Sequence, residues 1–177
     1  MSTPHDFDFL HGDWTVRNRH RADFLDPDSG WEEFDATSRC RSLFDGAANL
    51  DEIDMPHLGS KGLTLRLFDR ETERWSLNWS ASGSGRLFPP VTGDFTGQQG
   101  SLRGEFHGDD VYDDKDVRVR FVWSGISDRT AHWEQAFSAD GGATWVTNWT
   151  MAFSRVTAAT PQQPLLPRTT ASGTPAV

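Results

Sequence analysis

The stretch Trp14-Thr15-Val16-Arg17-Asn18-Arg19-His20-Arg21-Ala22-Asp23-Phe24 alternates strictly: Trp14, Val16, Asn18, His20, Ala22 and Phe24 share one parity, and Arg17, Arg19, Arg21 and Asp23 the other. Successive side chains of a strand point to opposite faces, so this is a strand with one buried and one solvated face. The run Asp26-Pro27-Asp28-Ser29-Gly30 is rich in turn formers. Alternation then resumes from Trp31 to Phe44, with Phe34, Ala36, Ser38, Cys40, Ser42 and Phe44 set against Glu33, Asp35, Thr37, Arg39 and Arg41. Two such strands around a turn read as a hairpin. Its outward arginines face Glu33 and Asp35, so their charge is satisfied within the hairpin.

Working outward, further alternating segments cover 48–55, 62–68, 74–81, 92–97, 101–107, 117–123, 130–137 and 143–156, about ten strands in all, and no long stretch holds a helical period. Inward sets are Leu63/Leu65/Leu67, Trp75/Leu77/Trp79, Val117/Val119/Phe121/Trp123, Ala131/Trp133/Phe137 and Trp145/Trp149/Met151/Phe153. Over 48–55, Asp51 shares parity with Ile53 and Met55, and Glu52 with Leu50 and Asp54, which leaves open which carboxylate faces in. Arg39, Arg66, His107 and Glu134 take outward parity. The pattern predicts an all-β domain over 1–156, a closed up-and-down antiparallel β-barrel of about ten strands. Closure removes aggregation-prone edges, and such a barrel has room for one small ligand. The stretch 83–90 (GSGRLFPP) suits a mobile loop at the cavity mouth, and 108–116 (GDDVYDDKD) an acidic hairpin loop. The Pro-, Thr- and Ala-rich tail 157–177 lacks periodicity and is expected to be disordered.

The chain has 177 residues and a net charge of -9, with Lys+Arg 17 against Asp+Glu 26. That balance argues against nucleic-acid and anionic-membrane partners, which draw on clustered cations. No run approaches the length of a membrane-spanning helix and the N-terminus lacks a signal-peptide pattern, so a cytoplasmic location is expected. Cys40, the single cysteine, has no disulfide partner within the chain. The six histidines form no short-spaced metal-ligand set, and neither a phosphate loop nor a nucleophile elbow is present, so no cofactor and no metal are expected. Trp 8 and Phe 12 exceed what packing alone requires of a domain this size, which points to an aromatic-lined cavity.

The opening Phe7-Asp8-Phe9-Leu10-His11-Gly12-Asp13-Trp14 resembles the start of calycins, the lipocalin and fatty-acid-binding-protein superfamily. The resemblance implies a short N-terminal helical plug at the closed end of the barrel, with Trp14 packed inside it and Arg155 across its indole. Phe7, Leu10, Gly12, Trp14, Asn49, Trp75, Trp79, Gly141, Gly142, Thr144, Trp145 and Arg155 together resemble an uncharacterised bacterial calycin-like single-domain family. A haem-binding relative, the nitrobindin-like group, has a glycine-richer repeat after the tryptophan, where this chain has Arg17-Asn18-Arg19. Ser138-Ala139-Asp140-Gly141-Gly142-Ala143-Thr144-Trp145 fits the Asp-box pattern and reads as a hairpin device that drops Trp145 into the core. Asn78-Trp79-Ser80 and Asn148-Trp149-Thr150 match glycosylation sequons by accident.

The functional expectation is a carrier that holds a small apolar, aromatic or polyketide-like molecule. Trp75, Trp79, Phe121, Trp123, Trp133, Trp149 and Met151 would line the cavity, and Gln135, Ser38 and Cys40 would supply polar contacts. The alternative is a cofactor-independent cyclase or isomerase of secondary metabolism, with His20 as acid/base and Asn18 as oxyanion donor. This option draws on an arginine-dominated basic complement in which Lys61 and Lys115 are the lysines. Haem binding is a minor variant, and a homodimer is compatible with the charge pattern.

Overall fold

The computed structural model describes residues 2–98 and 100–157. Ten antiparallel strands close into a barrel in simple meander order: β1 (Gly12–Arg21), β2 (Trp31–Leu43), β3 (Ala48–Met55), β4 (Ser60–Asp69), β5 (Arg74–Ala81), β6 (Val91–Thr96), β7 (Arg103–Tyr112), β8 (Lys115–Ser124), β9 (Thr130–Ser138) and β10 (Val146–Arg155). The first and last strands pair from Trp14 opposite Arg155 to His20 opposite Trp149, which leaves no free edge. The tail from 158 onward lies outside the described residues, and no helix among those described is long and apolar enough to cross a membrane.

One end of the barrel is plugged. The plug is a single 3-10 turn, Asp8–Leu10, preceded by Phe7. Phe7 meets Trp75 and Phe95 edge-on with ring centroids 5.0 and 4.8 Å apart, the arrangement that the ring quadrupole favours. The Trp14 indole N–H donates to the Leu10 carbonyl at 2.7 Å, and the Arg155 guanidinium lies over the Trp14 ring at 4.2 Å. Arg155 also donates to the carbonyls of Phe9, His11 and Asp128, tying the turn to the last strand. Gly12 makes this clasp possible: its φ is +112°, and a Cβ there would sit 2.9 Å from an Arg155 nitrogen.

The other end is open and carries the loops after β1, β3, β5, β7 and β9. The β7–β8 connection is shorter than the sequence suggests. Gly108 to Tyr112 continue β7, Lys115 and Asp116 begin β8, and only Asp113 and Asp114 turn, both at positive φ. That is the backbone of a tight two-residue hairpin, whose twist matches the flanking strands. The Asp-box turn forms as expected around Asp140, which accepts from the Thr144 hydroxyl at 2.6 Å, the Thr144 N–H at 2.9 Å and the Ser138 hydroxyl at 2.7 Å. These donors hold the Asp140 carboxyl far below the usual range.

Two facing assignments are corrected. In β4 the buried, inward set is Gly62, Thr64 and Arg66, while Leu63, Leu65 and Leu67 form a half-buried ridge outside, with Leu65 opposite Leu50 of β3. Parity alone favours leucines inside. The opposite facing is tolerable because Asn49 and Asp51 of β3 face inward and partner Arg66. In β10 the register shifts between Thr147 and Trp149, and this bulge turns Asn148 inward beside Trp149. Upstream of it, Trp145 stays out of the core and packs half-buried outside, 4.7 Å from the Arg120 guanidinium and 5.8 Å from the His107 ring.

Candidate functional site

The barrel interior holds a chamber of about 70 Å³ at mid-height. Its aromatic wall is Trp79 from β5, Phe121 and Trp123 from β8, Trp133 from β9, and Trp149 and Phe153 from β10. Met151, Leu77 and Ile53 add aliphatic surface, and Asp51, Thr64, Arg66 and Gln135 add polar groups. Above it, at the open end, lies a vestibule of about 210 Å³ framed by Phe24, Phe88, Pro89, Tyr112 and Phe137. Leu77, Trp79, Phe121, Gln135 and Trp149 line both spaces and form the partition between them.

The partition is built from close fits. Gly62 lies under Trp79, and a Cβ on it would come 1.8 Å from the indole, so the ring occupies the space that only glycine leaves. Trp149 is fixed by its indole N–H, which donates to Asn18 Oδ1 at 3.0 Å. Gln135 donates to Asn148 Oδ1 at 2.9 Å, and Asn148 donates to the Phe24 carbonyl at 3.1 Å. This chain of bonds joins the partition to the β1–β2 loop, where the Phe24 ring stacks on Tyr112 at 5.4 Å. The 83–90 loop is tied by the Phe88 N–H, which donates to the Trp79 carbonyl at 2.9 Å.

The chamber floor is charged. Arg66 is 3% and Asp51 5% exposed, and their side chains approach to 3.3 Å. Arg66 also donates to Asn49 Oδ1 at 2.9 Å and lies 5.2 Å over the Phe7 ring of the plug. Asp51 accepts from Ser38 at 3.4 Å, and the Cys40 thiol donates to Asn49 at 3.6 Å. Among the described residues, Arg66 Nε, Asn49 Nδ2 and Trp123 Nε1 have no hydrogen-bond partner, and Asp51 Oδ1 has only its ion pair with Arg66. A buried polar group left unpaired costs about 1–3 kcal/mol, so this floor keeps unused bonding capacity.

Of the residues expected from sequence to bind a ligand, Trp79, Phe121, Trp123, Trp133, Gln135, Trp149 and Met151 line the chamber. Trp75 lies lower, fully buried in the plug layer, with its indole N–H donating to the Thr3 carbonyl. Ser38 and Cys40 stand behind the floor, on Asp51 and Asn49. Burial pushes the Cys40 thiol up to about 12. Asn18 buttresses Trp149. His20 sits at the rim, with Nδ1 3.1 Å from the Arg21 carbonyl and Nε2 3.4 Å from Glu32, and lines neither space. Glu32 in turn accepts from His57 at 2.6 Å, which holds its carboxyl below the usual range.

Sequence reading missed Arg66, Thr64 and Asn148 as interior groups and left the facing of Asp51 open. One signal was available for Arg66 and Asp51 together: a carboxylate sharing parity with Ile53 and Met55 needs a cation on the neighbouring strand, and Arg66 supplies it.

No protein-family model matches this sequence, and no curated protein matches it. Among solved structures the chain is similar to an S-type phycobiliprotein lyase from Guillardia theta, with a TM-score of 0.52 and 14% identity over 90% of this chain and 95% of that one. The likeness is one of fold. It extends over nearly the whole length of both chains.

Proposed function

We propose that the protein binds one small, flat, largely aromatic molecule inside the barrel, admitted through the vestibule. The observation that carries this reading is the tryptophan-walled chamber joined to an aromatic vestibule across a partition of five shared side chains. Ligand sites typically span about 300–1,000 Å³ and combine apolar walls with a few placed polar groups. The two spaces here, about 70 and 210 Å³, together fall just below that range, so the ligand class is one or two fused rings. The chamber alone is about half the ~150 Å³ cavity known to hold benzene, so it takes one end of the molecule while the vestibule takes the rest.

The barrel likeness to a phycobiliprotein lyase supports the handling of a ring-bearing small molecule, but a bilin is far larger than these spaces. In this reading Asn18 holds Trp149 and His20 braces the rim, and neither moves a proton on the ligand. Among the described residues no histidine lines either space, so nothing favours an interior haem ligand.

The test is calorimetric titration of bicyclic aromatics into the protein, with tryptophan emission as a second readout. One-to-one saturable binding is expected, and it is lost in Thr64→Phe, which fills the chamber, with the fold checked by circular dichroism. Absence of saturable binding across the panel, or unchanged affinity in a folded Thr64→Phe protein, overturns the proposal.

A further inference from the structure

The chamber floor carries more chemical information than its walls. Arg66 and Asp51 are the charged side chains among its lining residues, and they already neutralise one another at 3.3 Å. A ligand carboxylate would add an uncompensated negative charge beside Asp51 in a water-poor space, where desolvating an ion costs several kcal/mol. A free ammonium would meet the same obstacle from Arg66. A wholly apolar ligand would leave Trp123 Nε1–H and Arg66 Nε–H without partners and Asp51 Oδ1 with only its ion pair to Arg66. Two of these atoms donate and one accepts. All three side chains line one chamber, and the Arg66 guanidinium lies 5.6 Å from the Trp123 ring, so a single head group spans them.

Resting on the binding reading above, we infer that the site selects a neutral ligand whose leading edge carries a carbonyl next to an N–H or O–H, as in a lactam, amide or hydroxy-ketone. The carbonyl accepts from Trp123 and Arg66, and the adjacent donor answers Asp51. Discrimination arises because a site with committed polar groups penalises the analogue that lacks their partners, whereas an apolar wall barely distinguishes isosteres.

Three probes built on one fused bicyclic frame test this: 2-quinolinone, naphthalene and 2-naphthoate, titrated separately at pH 7 by calorimetry. The expected result is 2-quinolinone at least about tenfold tighter than naphthalene, with 2-naphthoate the weakest. Trp123→Phe removes the indole donor and should bring 2-quinolinone to within about twofold of naphthalene. Where that variant does not fold, the indole N–H resonances of the native protein give the same answer. One of the eight should move downfield with 2-quinolinone and stay in place with naphthalene. Equal binding of 2-quinolinone and naphthalene overturns the inference and leaves the binding reading standing, as does a preference for 2-naphthoate. Failure of all three probes to bind removes both.

Discussion

Replacing Gly62 with alanine isolates the partition. Gly62 has ordinary strand backbone, and alanine in a strand interior is the better residue by roughly 0.5–1 kcal/mol when nothing stands in the way. Here the Trp79 ring stands in the way. The added Cβ would lie 1.8, 2.5 and 2.7 Å from three indole carbons, against ordinary contacts near 3.5–4.0 Å, so the ring must retreat by well over an ångström. Such overpacking costs about 1–3 kcal/mol, which overrides the strand preference and predicts net destabilisation. Trp79 lines both chamber and vestibule, so the displaced ring also changes the passage between them. Urea unfolding measures the first effect, and titration with 2-quinolinone the second. Gly62→Ala should lower the urea midpoint and shift ligand affinity at least several-fold. A Gly62→Ala protein as stable as the native one, with unchanged affinity, would refute the placement of Trp79 over Gly62 as the wall between the two spaces.

Other outcomes follow from the same geometry. Arg66→Met strands Asp51 in the interior and should cost about 3–5 kcal/mol, whereas the double variant Arg66→Met/Asp51→Leu should recover most of it; equilibrium unfolding decides. Cys40 should resist iodoacetamide at pH 8 until the protein unfolds. Because its folded value of about 12 exceeds the ordinary 9.0, its contribution to stability is complete below pH 9 and lost as pH rises towards 12. His11 runs the other way. Burial lowers it, so stability should fall as pH drops below about 6.5, and His11→Gln should flatten that slope in thermal melts at pH 7 and pH 5. Arg155→Ala removes the cation above Trp14 and the donor to three carbonyls, and should cost about 2–4 kcal/mol.

The strand count and the meander order were legible because alternation along each strand reports its two environments directly. Most of the tryptophan wall was legible for the same reason, and the Trp14–Arg155 clasp was legible only through the calycin resemblance. The chamber floor was not. Leu63, Leu65 and Leu67 outbid Arg66 in any reading that sends apolar side chains inward, and the arginine's true facing depends on partners from another strand, Asn49 and Asp51. Asn148 was hidden by a bulge, since one inserted residue inverts parity and leaves no mark in composition. Trp145 was misplaced by the same bulge. His20 and Asn18 do share the inner face, as alternation indicates, but the bonds that engage them, to Glu32, Arg21 and Trp149, come from the folded barrel.

The central claim is that the barrel interior receives an aromatic guest with its polar edge on the Arg66–Asp51–Trp123 floor. A crystal structure of the protein grown with 2-quinolinone tests it most directly. The account predicts the bicycle across the Trp79–Trp149 partition, with its carbonyl within hydrogen-bond distance of Trp123 Nε1. A crystal saturated with the compound in which that interior holds no guest, its rings unmoved, would contradict it.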